Sequence, residues 1–326
     1  MAILEVKGVK KHFPIQKSLV AQFFSKQREY VRAVDGIDLV VEKGDVYGLV
    51  GESGSGKTTT GRITAALELP TEGEVRLNGV DVSGLRGPQL KAFRREVQYI
   101  YQDPLSSLNP KMKVGDSVAE PLRYLIPGGH LRRKEVEEML EKVGLSPASS
   151  FMERYPHELS GGQRQRIVIA RALIVSPEYV VADEPVAMVD VSVRAQIMEL
   201  LLSMQEEMKL TILLITRDLA VARYMCNRIS VMYLGQIAET GTNQQIFGNP
   251  LHPYTQALKA AVPIPDPRSR APKAIAQGEI PSAINPPSGC RFNPRCPYAF
   301  DRCRSEIPKL KEREPGHLVA CHLYDK

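Results

Sequence analysis

Residues Gly51-Glu52-Ser53-Gly54-Ser55-Gly56-Lys57-Thr58 fit the pattern GxxxxGK[ST] in full. Glycines in that pattern let backbone N–H groups close around phosphate oxygens, and the start of the following helix adds positive potential. Lys57 is placed to reach the β- and γ-phosphates of a nucleoside triphosphate, and Thr58 to ligate Mg2+. A Gly-rich turn with no ligand is the competing reading. It is disfavoured because the loop lies between an apolar run and a helical pattern. Far along the chain, Asp183-Glu184 closes a second apolar run. An acid at the carboxyl end of a parallel strand stands where such sheets bind ligands, so Asp183 is the expected Mg2+ acid. Glu184 follows it and can polarise an attacking water as general base. Gln102, at the end of its own apolar run, can reach the same metal or water.

Leu159-Ser160-Gly161-Gly162-Gln163 precedes a long helical pattern, expected over 161–175. Ser160 alone reads as an N-cap. The glycine pair bares the helix start, with backbone donors facing outward as a second anion site. One phosphate cradle already exists in the chain, so this second site fits best on a nucleotide held by another subunit.

These groups need a scaffold that alternates strands and helices. Val46–Val50, 97–101, 179–182, 211–215 and 229–233 read as short buried strands. A helix is expected over 58–67. Another carries Val193, Ile197, Leu200, Leu201 and Met204 between two of the strands. Alternation of this kind gives an α/β fold with a mostly parallel, covered sheet. Asn78-Gly79 marks a hairpin. From 104 to 160 the pattern turns helical, with Val136, Met139, Leu140 and Val143 on one face, which points to an inserted helical subdomain. From residue 262 proline dominates and an extended arm is expected, leading into a cysteine module. The domain division is therefore 1–261 and 262–326.

A hydrophobic content of 43% and a dispersed net charge of +6 are ordinary for a globular protein. Basic runs interleaved with aromatics are absent, so nucleic acid is not expected. Neither is a signal peptide or a membrane span, which leaves a peripheral, cytoplasmic role if a membrane is involved. Four of the five cysteines, Cys290, Cys296, Cys303 and Cys321, follow C-x5-C-x6-C-x17-C. Four thiolates suit an iron–sulfur cluster or structural zinc. Zinc sites favour closer pairs, and two disulfides would need an oxidising compartment or a hyperthermophile interior. Unligated thiols stay open. Cys226 reads as a small core residue. His317 and His322 flank the last cysteine and are expected as surface polar residues.

Taken together, these motifs resemble the ATP-binding subunits of ABC transporters. The resemblance implies a P-loop nucleotide-binding domain with a RecA-like core, an antiparallel β subdomain, an inserted helical subdomain and here a C-terminal cysteine-containing extension. Ser53, Gly54, Ser55, Gly56, Lys57, Thr58 and Thr59 match its Walker A motif, and Gln102 its Q-loop. Ser160, Gly161, Gly162 and Gln163 match its signature, Asp183 and Glu184 its Walker B, and Asp190 its D-loop aspartate. Phe13 falls where the family stacks an aromatic ring on adenine, with Tyr30 a second candidate. Tyr101-Gln102-Asp103-Pro104-Leu105-Ser106-Ser107-Leu108-Asn109-Pro110 and Asn249-Pro250-Leu251-His252-Pro253-Tyr254-Thr255 look like the oligopeptide/dipeptide importer branch. So do Gly278-Glu279-Ile280-Pro281-Ser282 and the stretch into Cys290, and His12-Phe13-Pro14-Ile15 is similar to its F-type subunit.

That branch implies a paired D-type ATPase, two transmembrane permease subunits, an extracellular solute-binding protein, ATP with Mg2+, and often a 4Fe-4S cluster on the extension. Its cargoes include peptides, nickel and oligosaccharides. Two positions depart from the pattern. Arg217 stands where the family has a histidine that contacts the γ-phosphate, and Ala187 replaces the D-loop serine. A catalytically degenerate partner subunit, or a soluble non-transport ATPase, are the alternative readings.

Overall fold

Val46–Val50 is buried at every position, which is why an unbroken apolar run forms a strand here rather than an alternating one. The computed structural model describes residues 1–15, 29–126, 133–262 and 278–325. Most of the expected proline-rich arm, 263–277, lies outside the described residues. Twelve strands are formed among those described: β1 (Ala2–Pro14), β2 (Tyr30–Glu42), β3 (Val46–Val50), β4 (Glu72–Leu77), β5 (Val80–Asp81), β6 (Val97–Ile100), β7 (Tyr179–Asp183), β8 (Thr211–Thr216), β9 (Arg228–Tyr233), β10 (Gln236–Thr242), β11 (Lys311–Glu314) and β12 (His317–Val319). The chain divides into two compact units.

The first unit contains Met1–Val41, Tyr47–Ser83 and Thr216–Lys326. Its four-stranded sheet runs β2-β1-β4-β5. β1 and β4 pair antiparallel, with Leu4 opposite Leu77 and Val6 opposite Val75, all four buried. Asn78 and Gly79 both take positive φ, 48° and 77°, and close the β4–β5 hairpin as the dipeptide demands. In the same unit the order β11-β12-β10-β9-β3 is built from parallel β3–β9 and antiparallel neighbours. The last strands therefore lengthen a sheet begun near residue 46, with Thr240 opposite Leu318.

Helix Lys57–Thr64 opens directly from the Gly-rich loop. It stops short of the expected 67 because Ala66 turns to a φ of 51°. Cys226 is buried, as expected of a core residue.

The second unit contains Glu42–Val46 and Gly84–Ile215. β6, β7 and β8 are parallel neighbours, with Tyr179 opposite Val97 on one side and Thr211 on the other. Helices occupy Pro104–Ser107, Val114–Leu125, Arg133–Lys142 and Ser149–Met152. Val136, Met139, Leu140 and Val143 are buried, the apolar stripe read from their spacing. Helix Gly161–Leu173 buries Ile167, Val168, Ile169 and Ala170, and Val191–Met208 buries Ile197, Leu200, Leu201 and Met204.

Candidate functional site

In the first unit the Gly-rich loop has the backbone its sequence requires. Gly54 and Gly56 take positive φ, 77° and 105°. A Cβ on Gly56 would lie 2.1 Å from the Ala33 carbonyl oxygen, so no larger residue fits. Ser53 and Gly54 are exposed, Ser55 and Lys57 are buried, and Thr58 is exposed at the helix start. Lys57 Nζ donates to the carbonyls of Gly51 and Glu52, each at 2.8 Å. The ammonium thus sits inside the curve of the loop, where Coulomb attraction to a phosphate is least diluted by water.

Phe13 is half-buried near the end of β1, with the Lys11 ammonium 5.0 Å from its ring centroid. Its neighbour His12 bonds Asp35 through Nε2 at 2.9 Å. Tyr30, the second aromatic candidate, is exposed at the start of β2. Arg217 is exposed just after β8, and Asp218 behind it caps helix Leu219–Met225 by accepting from Ala220 N–H.

The second unit holds the carboxylates. Asp183 is 4% exposed at the end of β7 and accepts from the Tyr99 hydroxyl at 2.7 Å. Glu184 has a φ of 46°, a left-handed backbone uncommon for a residue with a side chain. Its N–H is fixed to the Ile215 carbonyl at 2.8 Å. Strain of this kind persists where the surroundings over-determine it, and such positions cluster at active sites. Gln102 Nε2 donates to Glu184 Oε2 at 3.4 Å, so the two polar residues read from separate strand ends are brought together.

Ser160 caps helix Gly161–Leu173 reciprocally. Its Oγ accepts from Gln163 N–H, and Gln163 Oε1 accepts from Ser160 N–H. The side chain of Gln163 thus shapes the helix start while Ser160 itself stays exposed. Asp190 is exposed and precedes helix Val191–Met208, between the exposed apolar side chains of Met188 and Val191.

The C-terminal cysteines are free thiols. Burial first, and then the charges of Cys321, Cys303 and Cys296, push Cys290 up to about 12. Burial, and then the charges of Cys296, Cys303 and Asp325, push Cys321 up to about 11, and Cys296 is also raised, chiefly by burial. All four sulfurs therefore share one electrostatic neighbourhood. Among the described residues, however, no three His, Cys, Asp or Glu side chains are arranged to hold a metal ion. The metal centre expected at Cys290, Cys296, Cys303 and Cys321 is not formed by these side chains as they stand, and the spacing of the cysteines did not reveal that.

His317 and His322 correct a second expectation, since both are buried rather than on the surface. His317 Nε2 meets Glu239 Oε1 at 2.7 Å. His322 bonds Asp325 through Nδ1 and the Glu306 carbonyl through Nε2. Each ring is paired with a carboxylate, which offsets the cost of burying it.

Sequence reasoning also missed Arg295. Its guanidinium grips Glu52 of the phosphate loop in a two-pronged pair, Nη1–Oε2 2.7 Å and Nη2–Oε1 3.1 Å. The partners are separated by 243 positions, so no local pattern could connect them.

Comparison with known proteins identifies the family. Residues 34–187, from before the phosphate loop to beyond Asp183-Glu184, match the family described as ABC transporter. Residues 238–303 match the family described as oligopeptide/dipeptide transporter, C-terminal region. The oligopeptide transport ATP-binding protein AppF of Bacillus subtilis is 46% identical over 326 residues, covering 99% of this chain and 97% of that protein. Among solved structures, a dimeric post-hydrolysis state of the ATP-binding cassette MJ0796 bound to ADP and Pi superposes with a TM-score of 0.64. It is 30% identical and covers 74% of this chain and 98% of that one. The cbiO1 protein of Clostridium perfringens, part of the cbiONQ transporter complex, shares the fold at 24% identity, a TM-score of 0.63, and 76% and 91% coverage.

Proposed function

The chain belongs to the ABC transporter family, among the ATP-binding proteins of its oligopeptide/dipeptide branch, and from that premise we propose that it binds and hydrolyses ATP to power import of oligopeptides or dipeptides. The observation that carries the reading is full-length likeness to a peptide-import ATPase together with an intact phosphate loop whose Lys57 lies within its curve. The fold is the α/β cassette fold of such ATPases. The soluble non-transport ATPase and the degenerate subunit are not favoured, because likeness to the transport protein runs over 99% of the chain.

Roles follow from chemistry. Lys57 and the loop N–H groups hold the triphosphate, and Thr58, Asp183 and Gln102 provide the ligands for Mg2+. Mg2+ held by these residues would supply positive charge against the triphosphate. Glu184 takes a proton from the attacking water, with Gln102 holding its carboxylate in place. Phe13 stacks on the base. Arg217 offers a cation to the γ-phosphate where the family pattern implies histidine. The exposed helix start at Ser160, Gly161 and Gly162 grips ATP held by a second, D-type subunit, and Asp190 lies in the same contact.

Membrane permeases are the partners through which hydrolysis becomes transport. Two such subunits, docked on the helical block near Gln102, and an extracellular binding protein complete the importer. No helix among the described residues is long and apolar enough to cross a membrane. Likeness to the ATP-binding proteins of importers supports peripheral attachment at the cytoplasmic face.

The cysteines fit an iron–sulfur centre better than a single zinc ion. What supports this is the spacing C-x5-C-x6-C-x17-C, which lacks the close cysteine pairs that zinc sites favour. Loading would require the side chains to shift, since no three ligands stand ready. Iron and sulfide analysis of protein isolated without oxygen tests it, and metal-free thiols would overturn it.

The ATPase reading itself is tested by reconstituting the chain with its partner ATPase and permeases in vesicles. ATP-dependent uptake of a short peptide is expected. Its absence in an assembly that turns over ATP would refute peptide import.

A further inference from the structure

The turn that carries Cys290 and Cys296 also carries two arginines, and both reach residues of the nucleotide end of the first unit. Arg291, 5% exposed, pairs with Asp35, the carboxylate that also bonds His12 beside Phe13. Arg295 makes the two-pronged pair with Glu52. Its side chain is 9% exposed and that of Glu52 28%, so water screens the pair poorly. Aromatic rings hold the guanidinium in place. Its centre lies 5.8 Å from the ring centroids of both Tyr233 and Phe292, and Nη1 also donates to the Tyr233 hydroxyl. Tyr254, packed on Tyr233 and Phe292, accepts the Glu52 backbone N–H at 2.8 Å. Glu52 is thus gripped at its amide and at its carboxylate by one cluster.

Glu52 is the second residue of the phosphate loop, so the same turn that would receive a triphosphate carries an anion. An unpaired carboxylate there would repel the phosphates and pull at Lys57, whose ammonium is bound to the Glu52 carbonyl. From this we infer that Arg295 is a positioning residue for nucleotide binding. It neutralises and orients Glu52, so that the C-terminal tail sets the affinity of the phosphate loop. The inference rests on the reading of that loop as the ATP site.

The experiment measures ATP binding with Mg2+ by equilibrium dialysis on the full chain, for wild type, Lys57→Ala, Arg295→Met, Arg295→Lys and the double variant Glu52→Gln/Arg295→Met. Arg295→Met should weaken binding about tenfold, with Arg295→Lys between it and wild type because lysine keeps the charge but not the fork. The double variant should recover most of that loss, since it removes the carboxylate that Arg295 balances. An arginine serving stability alone would lower the urea midpoint of Arg295→Met and leave the ATP affinity of its folded form unchanged. Unchanged affinity in Arg295→Met, with binding lost in Lys57→Ala, overturns the inference and leaves the loop as the ATP site. Failure of the double variant to recover, even if Arg295→Met is too unstable to assay, also overturns it. Undiminished binding in Lys57→Ala refutes the loop reading, and this inference with it.

Discussion

Glu239 and His317 meet at 2.7 Å with neither side chain exposed to solvent, pinning β12 to β10. The carboxylate also accepts the backbone N–H groups of Leu251 and His252 at 2.7 and 2.9 Å. A buried acid with this many donors is fully used.

This seam makes stability depend on pH from both sides. The hydrogen bond to Glu239 raises the pKa of His317 above the ordinary 6.5. The folded state therefore holds an extra proton just above 6.5. Its contribution is complete below 6.5 and is lost as pH rises through the raised value. His252 behaves oppositely. Burial lowers it to about 4, with a weaker opposing effect of Glu239, and its Nδ1 accepts from Tyr254 N–H. Folding thus loses stability as pH falls from 6.5 towards 4. Urea melts across pH should show a maximum near 6.5. His317→Gln should flatten the alkaline side and leave the acid side, and a single slope common to both proteins would refute the assignment.

Removing His317 has a separate cost at fixed pH. His317→Ala leaves a buried carboxylate short of one partner, so a loss of about 3 kcal/mol is expected. Urea denaturation followed by far-UV circular dichroism checks it. A change below about 0.5 kcal/mol, the range of ordinary surface substitutions, would mean the pair contributes nothing.

Glu184→Gln keeps the shape of the side chain and its contact with Gln102 but cannot take a proton. ATP turnover at this chain's own site should fall by about 10²-fold or more, with ATP affinity retained. Pre-steady-state phosphate release in the reconstituted assembly measures the step at this site.

Arg217→His installs the residue that the resemblance to the family implies at this position. Histidine titrates near neutrality and arginine does not. Turnover of the variant should acquire a pH step near 6.5 that wild type lacks. Superimposable pH profiles would place Arg217 outside the reacting centre.

Gly162 abuts the helix that begins at Val191. A Cβ there would lie 2.7 Å from Val193 Cγ1. Gly162→Ala should destabilise by about 1–2 kcal/mol through overpacking. Adding Val193→Ala should recover part of the loss in thermal melts, because it removes the colliding atom. Additive losses would show that the glycine serves only its backbone.

Much of the site was legible because its parts are local. The loop Gly51 to Thr58, the N-cap Ser160, and the strand ending in Asp183 each announce themselves within a few residues. Strands β1 and β2 were not read. Each is 13 residues long and mixes buried with exposed positions around Gly8 and Gly36, which blurs the alternation. β11 hid for another reason, since Lys311–Glu314 is wholly exposed and has no apolar signature. The burial of His317 and the reach of Arg295 depend on partners 78 and 243 positions away, and only the folded chain brings those together.

The pair between Arg295 and Glu52 also fixes an order of events during synthesis. Glu52 and its loop leave the ribosome early, and their counter-charge follows 243 residues later. At about 10 residues per second that interval is roughly 24 s. For that time the growing chain has a phosphate loop with its carboxylate unbalanced. On the role inferred for Arg295, full affinity for ATP would be reached only once the tail has been made.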